Sequence, residues 1–200
     1  MNIYSLIASS LIIFLVLFLK AKTSKEISEE NFYKIVFFTF LSSILGAKIF
    51  HILENWFFYL NHFELLELSK GYSILGAISF GIVTLKFLEM RIKISLREIY
   101  INLFLLLPLI QTIGRIGNIT NNELLPFSYY EMILNLINFL ILCIISYKKR
   151  EKIVYLYFLN YGLIRIFIES LKGNLGFLFF ISIIFTIYGF LGIFKLRLKV

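Results

Sequence analysis

The 200-residue sequence is poor in charged residues and contains a single cysteine and two prolines. Only 16% of its residues are charged, whereas 60% are hydrophobic. So much apolar surface cannot be hidden inside a soluble globule of this length, which favours the lipid bilayer as the solvent. The lone cysteine, Cys143, excludes an intramolecular disulfide, and we expect it to be an inert buried thiol.

Seven apolar runs are long enough to cross a hydrocarbon core of roughly 30 Å, which requires about 20 helical residues. They cover residues 3–20, 33–53, 72–88, 98–114, 129–147, 153–171 and 176–194. No basic residue precedes the first run and no small-residue cleavage site follows it, so we do not expect a removed signal peptide. We predict an all-α, polytopic membrane protein of about seven transmembrane helices, with residues 1–200 forming a single integral membrane domain.

The basic residues predict the orientation of these spans. Cytoplasmic connections of membrane proteins are enriched in lysine and arginine. Here 15 of the 20 lysines and arginines lie on alternate connections or in the C-terminal tail: Lys20, Lys22, Lys25, Lys34, Lys86, Arg91, Lys93, Arg97, Lys148, Lys149, Arg150, Lys152, Lys195, Arg197 and Lys199. We therefore predict that the N-terminus is outside and the C-terminus cytoplasmic. The net charge of +8 follows from this pattern, and no nucleic-acid partner is expected.

Three further cations lie within the predicted spans at similar depth. Measured from the cytoplasmic helix ends, Lys48 lies about 21 Å, Arg165 about 20 Å and Arg115 about 27 Å into the membrane. A cation at a helix centre costs roughly 2.5–3.5 kcal/mol on insertion scales. Three such costs at one level indicate a shared polar site, and structural ion pairing is the alternative. The acids available near this level are Glu54, Glu123, Glu131 and Glu169.

The polar segment GRIGNITNNE, residues 114–123, lies at the outer end of the fourth span. Gly114 and Gly117 permit a sharp break and close approach of the backbone. Arg115 offers a planar fork of donors suited to a phosphate, and Glu123 can orient it or accept a proton. The segment also supplies three amides: Asn118, Asn121 and Asn122. Irregular polar backbone at this depth lines a cavity, so we predict a site for an anionic lipid headgroup, with an ordinary outer loop as the alternative.

The sixth span carries a second polar segment, NYGLIRIFIES, residues 160–170. Arg165 and Glu169 are four residues apart, so they share one helix face and can form an ion pair. Tyr161 lies four residues before Arg165 and is predicted on the same face. Gly162 permits close approach of a neighbouring helix.

These segments resemble the signatures of the prolipoprotein diacylglyceryl transferase family. The first resembles the family's G-R-x-G-N-F-x-N-x-E, with Ile119 where phenylalanine is usual, and the second resembles Y-G-x-x-R-F-x-x-E, with Ile166 where phenylalanine is usual. PFSYYE, residues 126–131, is similar to the family's P-S-Q-L-Y-E. GAKIFHI, which begins at Gly46, is similar to G-A-R-L-G-Y-V, and Tyr4 matches a tyrosine of the family's first span.

The resemblance implies a multi-pass enzyme of the bacterial cytoplasmic (inner) membrane. Such an enzyme moves the diacylglyceryl group of phosphatidylglycerol to the lipobox cysteine of a prolipoprotein and releases glycerol 1-phosphate. Its partners are phosphatidylglycerol, the prolipoprotein signal peptide and the lipid bilayer, and no metal or cofactor is expected. Arg115 and Arg165 are implied to bind the phosphate and act in catalysis, assisted by Glu123. The implied substrate-binding residues are Tyr4, Lys48, Gly114, Gly117, Asn118, Asn121, Tyr161 and Glu169.

The chain departs from the family pattern at the start of the third span. There the family has G-x-S-F-H-G-G, whose histidine is a candidate base, whereas GYSILGAIS places Leu75 at that position. A thiol has a pKa of about 8.5, so a base is useful, and His51 is our hypothesis for a substitute. The alternative is that His51 lies at the membrane interface and has no catalytic role.

Three functions remain open from the sequence. The first is the transferase activity. The second is a phospholipid-binding homologue that lacks turnover or uses another acceptor. The third is a small transporter, which is disfavoured because the sequence has no inverted repeat.

Overall fold

A computed structural model describes residues 15–23, 27–61, 73–120, 125–173 and 175–197. All regular elements in these ranges are helices. After a helical segment at residues 15–23, they are α1 (Glu29–Glu54), α2 (Trp56–Asn61), α3 (Ile74–Ile92), α4 (Arg97–Thr120), α5 (Phe127–Ser146), a 3-10 turn (Arg150–Lys152), α6 (Ile153–Leu171) and α7 (Phe177–Arg197). The described residues do not include Tyr4, Asn121 or Glu123.

Several described helices are long and apolar enough to cross a membrane. They are Glu29–Glu54, Arg97–Thr120, Phe127–Ser146, Arg150–Leu171 and Phe177–Lys195. The prediction of an all-α protein with several apolar helices of membrane-spanning length is confirmed for the described residues. The predicted span at 72–88 corresponds to α3, which carries three charged residues near its C-terminal end and is not one of these five. The total of seven spans stays a prediction.

The outward faces of these helices are apolar. In α7, large side chains at intervals of three or four residues are more than half exposed, including Phe180, Ile184, Ile187, Leu191 and Phe194. A contiguous exposed apolar face of this kind is unusual for a soluble monomer, because it marks contact with lipid or another apolar partner. The surface therefore agrees with the bilayer as the solvent.

The chain divides into two compact units, residues 22–96 and residues 1–21 together with 97–200. In the first unit, α1 and α3 cross at Gly46 and Gly76, and a Cβ atom on either glycine would collide with the carbonyl oxygen of the other. The backbone N–H of Ser73 also donates to the carbonyl of Ala47 at 2.9 Å. Leu75 is buried in the first turn of α3, so its position is filled by a packed apolar side chain.

In the second unit, α4 packs on α5, α6 packs on α7, and α5 also contacts α6. The ring of Phe104 in α4 lies 5.0 Å from Tyr157 and 5.1 Å from Phe158 in α6, between ring centroids. Gly162 is at the crossing of α6 and α7, where a Cβ atom would meet Thr186. The predicted close approach of a helix at Gly162 is therefore confirmed.

Candidate functional site

Helix α4 continues through Arg115 to Thr120, so the predicted sharp break at Gly114 and Gly117 is wrong. A glycine inside a helix costs only about 1 kcal/mol relative to alanine, and tertiary packing readily offsets that cost. The Thr120 hydroxyl donates to the Gly117 carbonyl at 2.8 Å, within the last turn. Arg115 therefore projects from a regular helix, and its direction is fixed by the helix register.

Two predicted arginines converge on one carboxylate in α5. The Nε atom of Arg115 forms an ion pair with Oε2 of Glu131. Nη1 of Arg165 lies 2.5 Å from the other oxygen, Oε1, of Glu131. Nη2 of Arg165 lies 2.6 Å from Oε1 of Glu169, and Nζ of Lys172 lies 3.2 Å from that same oxygen. We call these five side chains the arginine–glutamate cluster.

The cluster draws on three helices and is largely buried. Arg165, Glu131 and Glu169 are at most 6% exposed, whereas the side chains of Arg115 and Lys172 are each 19% exposed. A buried charge is tolerated when it is paired and hydrogen-bonded. Three cations face two acids here, so one positive charge of the cluster is not balanced within it. A monoanion such as a phosphodiester has the complementary charge.

The sequence predicted the α6 part of the cluster correctly. Arg165 and Glu169 pair across one helical turn, as their spacing indicated. Tyr161 is buried one turn earlier on the same helix. Its ring stacks on Tyr157, with centroids 5.5 Å apart and planes inclined by 15°.

The remaining predicted residues divide between the two compact units. Gly117 is buried in α4 and Asn118 is half-buried next to it. A Cβ atom on Gly114 would meet no atom of the described residues within 4 Å, so no close approach of the described backbone occurs at this glycine. None of the described residues therefore fills the space beside Gly114, one residue before Arg115.

Lys48 and His51 both lie in α1, in the unit formed by residues 22–96. Lys48 is buried. His51 is half-buried, with Nδ1 3.4 Å from the side-chain nitrogen of Asn55 and its ring edge-on to Tyr59 at 6.0 Å between centroids. The role of His51 as a base stays a hypothesis.

Glu131 and Lys172 were not among the predicted site residues. Glu131 was identified only as an acid of suitable depth and as the last residue of PFSYYE. That weak match was the only sequence feature that pointed to a functional role for Glu131. Its ion-pair partners could not be predicted, because they depend on how α4 and α5 pack. In the described part of the chain, no three histidine, cysteine, aspartate or glutamate side chains are arranged to hold a metal ion.

A sequence model of the prolipoprotein diacylglyceryl transferase family matches residues 1–195. Several similar proteins are named phosphatidylglycerol–prolipoprotein diacylglyceryl transferase. The protein from Thermotoga maritima is 26% identical, over 89% of this chain and 74% of its own length. The protein from Prochlorococcus marinus is 26% identical over 97% of this chain and 87% of its own length. The protein from Clostridium novyi is 27% identical over 78% of this chain and 76% of its own length. With a match over nearly its whole length, the chain belongs to the prolipoprotein diacylglyceryl transferase family.

Proposed function

We propose that the protein transfers the diacylglyceryl group of phosphatidylglycerol to the lipobox cysteine thiol of prolipoproteins and releases glycerol 1-phosphate. Membership of the family supports this activity, and so do the names of its relatives. The structural observation that carries the proposal is the convergence of Arg115 and Arg165 on Glu131, in a buried cluster whose five side chains carry one more positive than negative charge.

The proposed reaction requires stabilisation of negative charge at the phosphate. The thiolate sulfur forms a bond to the diacylglyceryl carbon, the bond from that carbon to the phosphate oxygen breaks, and the electron pair stays on the oxygen. The phosphodiester monoanion thus becomes a phosphate monoester dianion. Arg115 and Arg165 favour the transition state over the ground state because the charge near them increases as the bond breaks.

Glu131 positions the two arginines in this mechanism. A guanidinium has five N–H donors, so it can bind a carboxylate and a phosphate at the same time. Each oxygen of Glu131 pairs with a different arginine, which holds the two guanidinium groups beside a common acid. Burial of Glu131 and Arg165 limits competition from water and strengthens their interaction with an incoming phosphate.

The other predicted residues keep, in this proposal, the roles that the family resemblance implies. Gly114 leaves room for the lipid beside Arg115, and Gly117, Tyr161 and Glu169 support the arginines. Asn118, Asn121 and Glu123 position the headgroup, and Lys48 and Tyr4 make further substrate contacts. His51 serves as the base that accepts the thiol proton.

The proposed topology places the cluster in the outer half of the membrane. The whole chain forms one integral domain of seven spans in the bacterial cytoplasmic membrane, with the N-terminus outside. Two ion pairs agree with a shared cytoplasmic face for the ends of α4 and α6: Arg150 to Glu98 at 2.9 Å and Arg97 to Glu151 at 3.9 Å. Labelling of single cysteines in a Cys143→Ser background tests the topology, and outside labelling at the 148–149 connection would contradict it.

Transfer of label tests the function. Purified protein is incubated with phosphatidylglycerol labelled in its acyl chains and with a lipobox peptide, and label on the peptide thiol is measured. We expect Arg115→Ala and Arg165→Ala to abolish transfer. Arg150→Ala is the matched control, because Arg150 also forms an ion pair but is half-exposed at the other end of the unit. Full transfer by both cluster variants would refute the assignment of the arginines.

The second candidate function is phospholipid binding without turnover. The observation that favours it is the burial of Leu75, because a packed leucine stands where the family has a histidine. This function predicts that the protein binds phosphatidylglycerol, that Arg115→Ala weakens the binding, and that no label reaches the peptide while an active relative transfers label under the same conditions.

A further inference from the structure

Uncharged polar side chains lie one helical turn from the arginine–glutamate cluster, toward the middle of α4 and α5. Gln111 precedes Arg115 by four residues in α4, and Asn135 follows Glu131 by four residues in α5. Residues four apart lie on one face of a helix, about 6 Å apart along its axis. Because Arg115 and Glu131 pair across these antiparallel helices, Gln111 and Asn135 lie in the layer below them. Asn138 follows on the same face of α5, and we call these three side chains the amide layer.

The amide layer is buried, and its hydrogen bonding is incomplete. Gln111, Asn135 and Asn138 are 4%, 3% and 2% exposed. Nε2 of Gln111 donates to the Tyr157 hydroxyl at 2.9 Å, and Oδ1 of Asn138 accepts from Nδ2 of Asn160 at 2.9 Å. Three atoms of the amide layer have no hydrogen-bond partner among the described residues: Oε1 of Gln111, Oδ1 of Asn135 and Nδ2 of Asn138. Buried polar atoms without a partner are few in native proteins, so three of them in one layer point to a ligand that supplies the missing hydrogen bonds.

The three atoms restrict the chemistry of that ligand. The two oxygens require donors and the N–H group requires an acceptor. A phosphate, a carboxylate or an ester carbonyl can only accept, and an ammonium group can only donate and is repelled by the net positive charge of the five cluster side chains. A hydroxyl group does both. It also remains complementary if a side-chain amide is turned over so that its oxygen and nitrogen exchange places.

We propose that the amide layer is a neutral subsite for hydroxyl groups. Resting on the function proposed above, we assign it to the glycerol headgroup of the donor lipid. When Arg115 and Arg165 bind the phosphate, only the short carbon chain of the glycerol headgroup separates the phosphate from the two headgroup hydroxyls. This short separation agrees with the one helical turn between the cluster and the amide layer. The subsite would thus select phosphatidylglycerol over phospholipids that lack headgroup hydroxyls. Bound water is the other source of the same chemistry.

The test compares two lipids that differ only in the headgroup hydroxyls. Affinities of the purified protein are measured for phosphatidylglycerol and for phosphatidylpropanol, which has the same three-carbon headgroup without hydroxyls. We expect a preference for phosphatidylglycerol of at least about tenfold, the effect of one or two hydrogen bonds in a buried site. The near-isosteric variants Asn135→Leu and Gln111→Met should each reduce this preference by weakening the binding of phosphatidylglycerol alone.

Asn102→Leu is the matched control. Asn102 is also a buried amide of α4, but its Nδ2 donates to the Glu98 carbonyl at 2.8 Å near the other end of the helix. This variant should keep the lipid preference. Each result is a ratio of two affinities measured on one sample, so partial loss of folded protein cancels.

Equal binding of the two lipids by the wild-type protein would overturn the subsite, and so would a preference that survives both substitutions. If the two substitutions weakened the binding of both lipids equally, the layer would hold water alone, and this result would also overturn the assignment. The transferase function fails separately. Selective binding of phosphatidylglycerol that depends on Asn135, without transfer to a lipobox peptide, would refute the transferase function and support the subsite.

Discussion

Replacing Glu131 by glutamine tests whether this acid positions the two arginines. Glu131 is 2% exposed, and its carboxylate pairs with both Arg115 and Arg165. The substitution removes the charge and keeps the shape, so the cluster retains three cations and only one acid. Removing one partner of a buried ion pair typically costs about 3–5 kcal/mol. Because the amide oxygen of glutamine can still accept from one arginine, we expect the lower end, about 3 kcal/mol.

A loss of this size should be measurable in both turnover and stability. If about 3 kcal/mol of transition-state positioning is lost, kcat for transfer should fall roughly 100-fold. Binding of phosphatidylglycerol should be maintained or tightened, because the cluster gains one net positive charge. The melting temperature in detergent should fall by about 6–12 °C, taking roughly 2–4 °C per kcal/mol for a protein of this size. Transfer kinetics, lipid affinity and thermal unfolding are measured on the same preparation.

Glu98→Gln is the matched control for Glu131→Gln. Glu98 also lies in the unit that contains α4 and pairs with Arg150 at 2.9 Å, but its side chain is 28% exposed. Pairs near the surface contribute at most about 1 kcal/mol, so this variant should keep normal turnover. If Glu131→Gln retained wild-type kcat, or if its lipid affinity fell as far as that of Arg115→Ala, the positioning role of Glu131 would be wrong.

Three further substitutions give distinct expectations. Gly114→Ala should leave thermal stability unchanged or raised by up to about 1 kcal/mol, since its Cβ meets no atom of the described residues, yet weaken lipid binding; unchanged lipid affinity would show that the lipid does not use this space. Gly162→Val should destabilise the packing of α6 on α7, because its Cβ would collide with Thr186, with a cost of about 1–3 kcal/mol in thermal unfolding. His51→Ala should reduce transfer by about 100-fold with little change in lipid affinity if His51 is the base, and an unchanged rate would end that hypothesis.

The all-helical structure and its long apolar helices were predictable from the sequence, because a chain in a bilayer must satisfy its backbone hydrogen bonds internally. Apolar runs of suitable length predicted α1 and α4–α7, and the spacing of Arg165 and Glu169 predicted their ion pair because both residues lie on one helix. Local periodicity therefore carries information about contacts within a helix.

Contacts between different helices were harder to predict from the sequence. Glu131 is 16 residues beyond Arg115 and on a different helix, so their pairing follows from the antiparallel packing of α4 and α5. The break predicted at Gly114 and Gly117 was wrong because glycine only weakly disfavours a helix, and tertiary contacts decide the outcome. The unsatisfied amides of the amide layer also become visible only when burial and partners are known.

The most direct test of the central claim is the stoichiometry of transfer from doubly labelled phosphatidylglycerol, with one label in the acyl chains and one in the glycerol headgroup. We predict one glycerol phosphate released for each diacylglyceryl group that reaches the peptide thiol, with both products lost in Arg165→Ala. Headgroup release without labelled peptide, or equal yields of both products from the Arg165→Ala variant, would contradict a cluster that stabilises the phosphate leaving group during transfer.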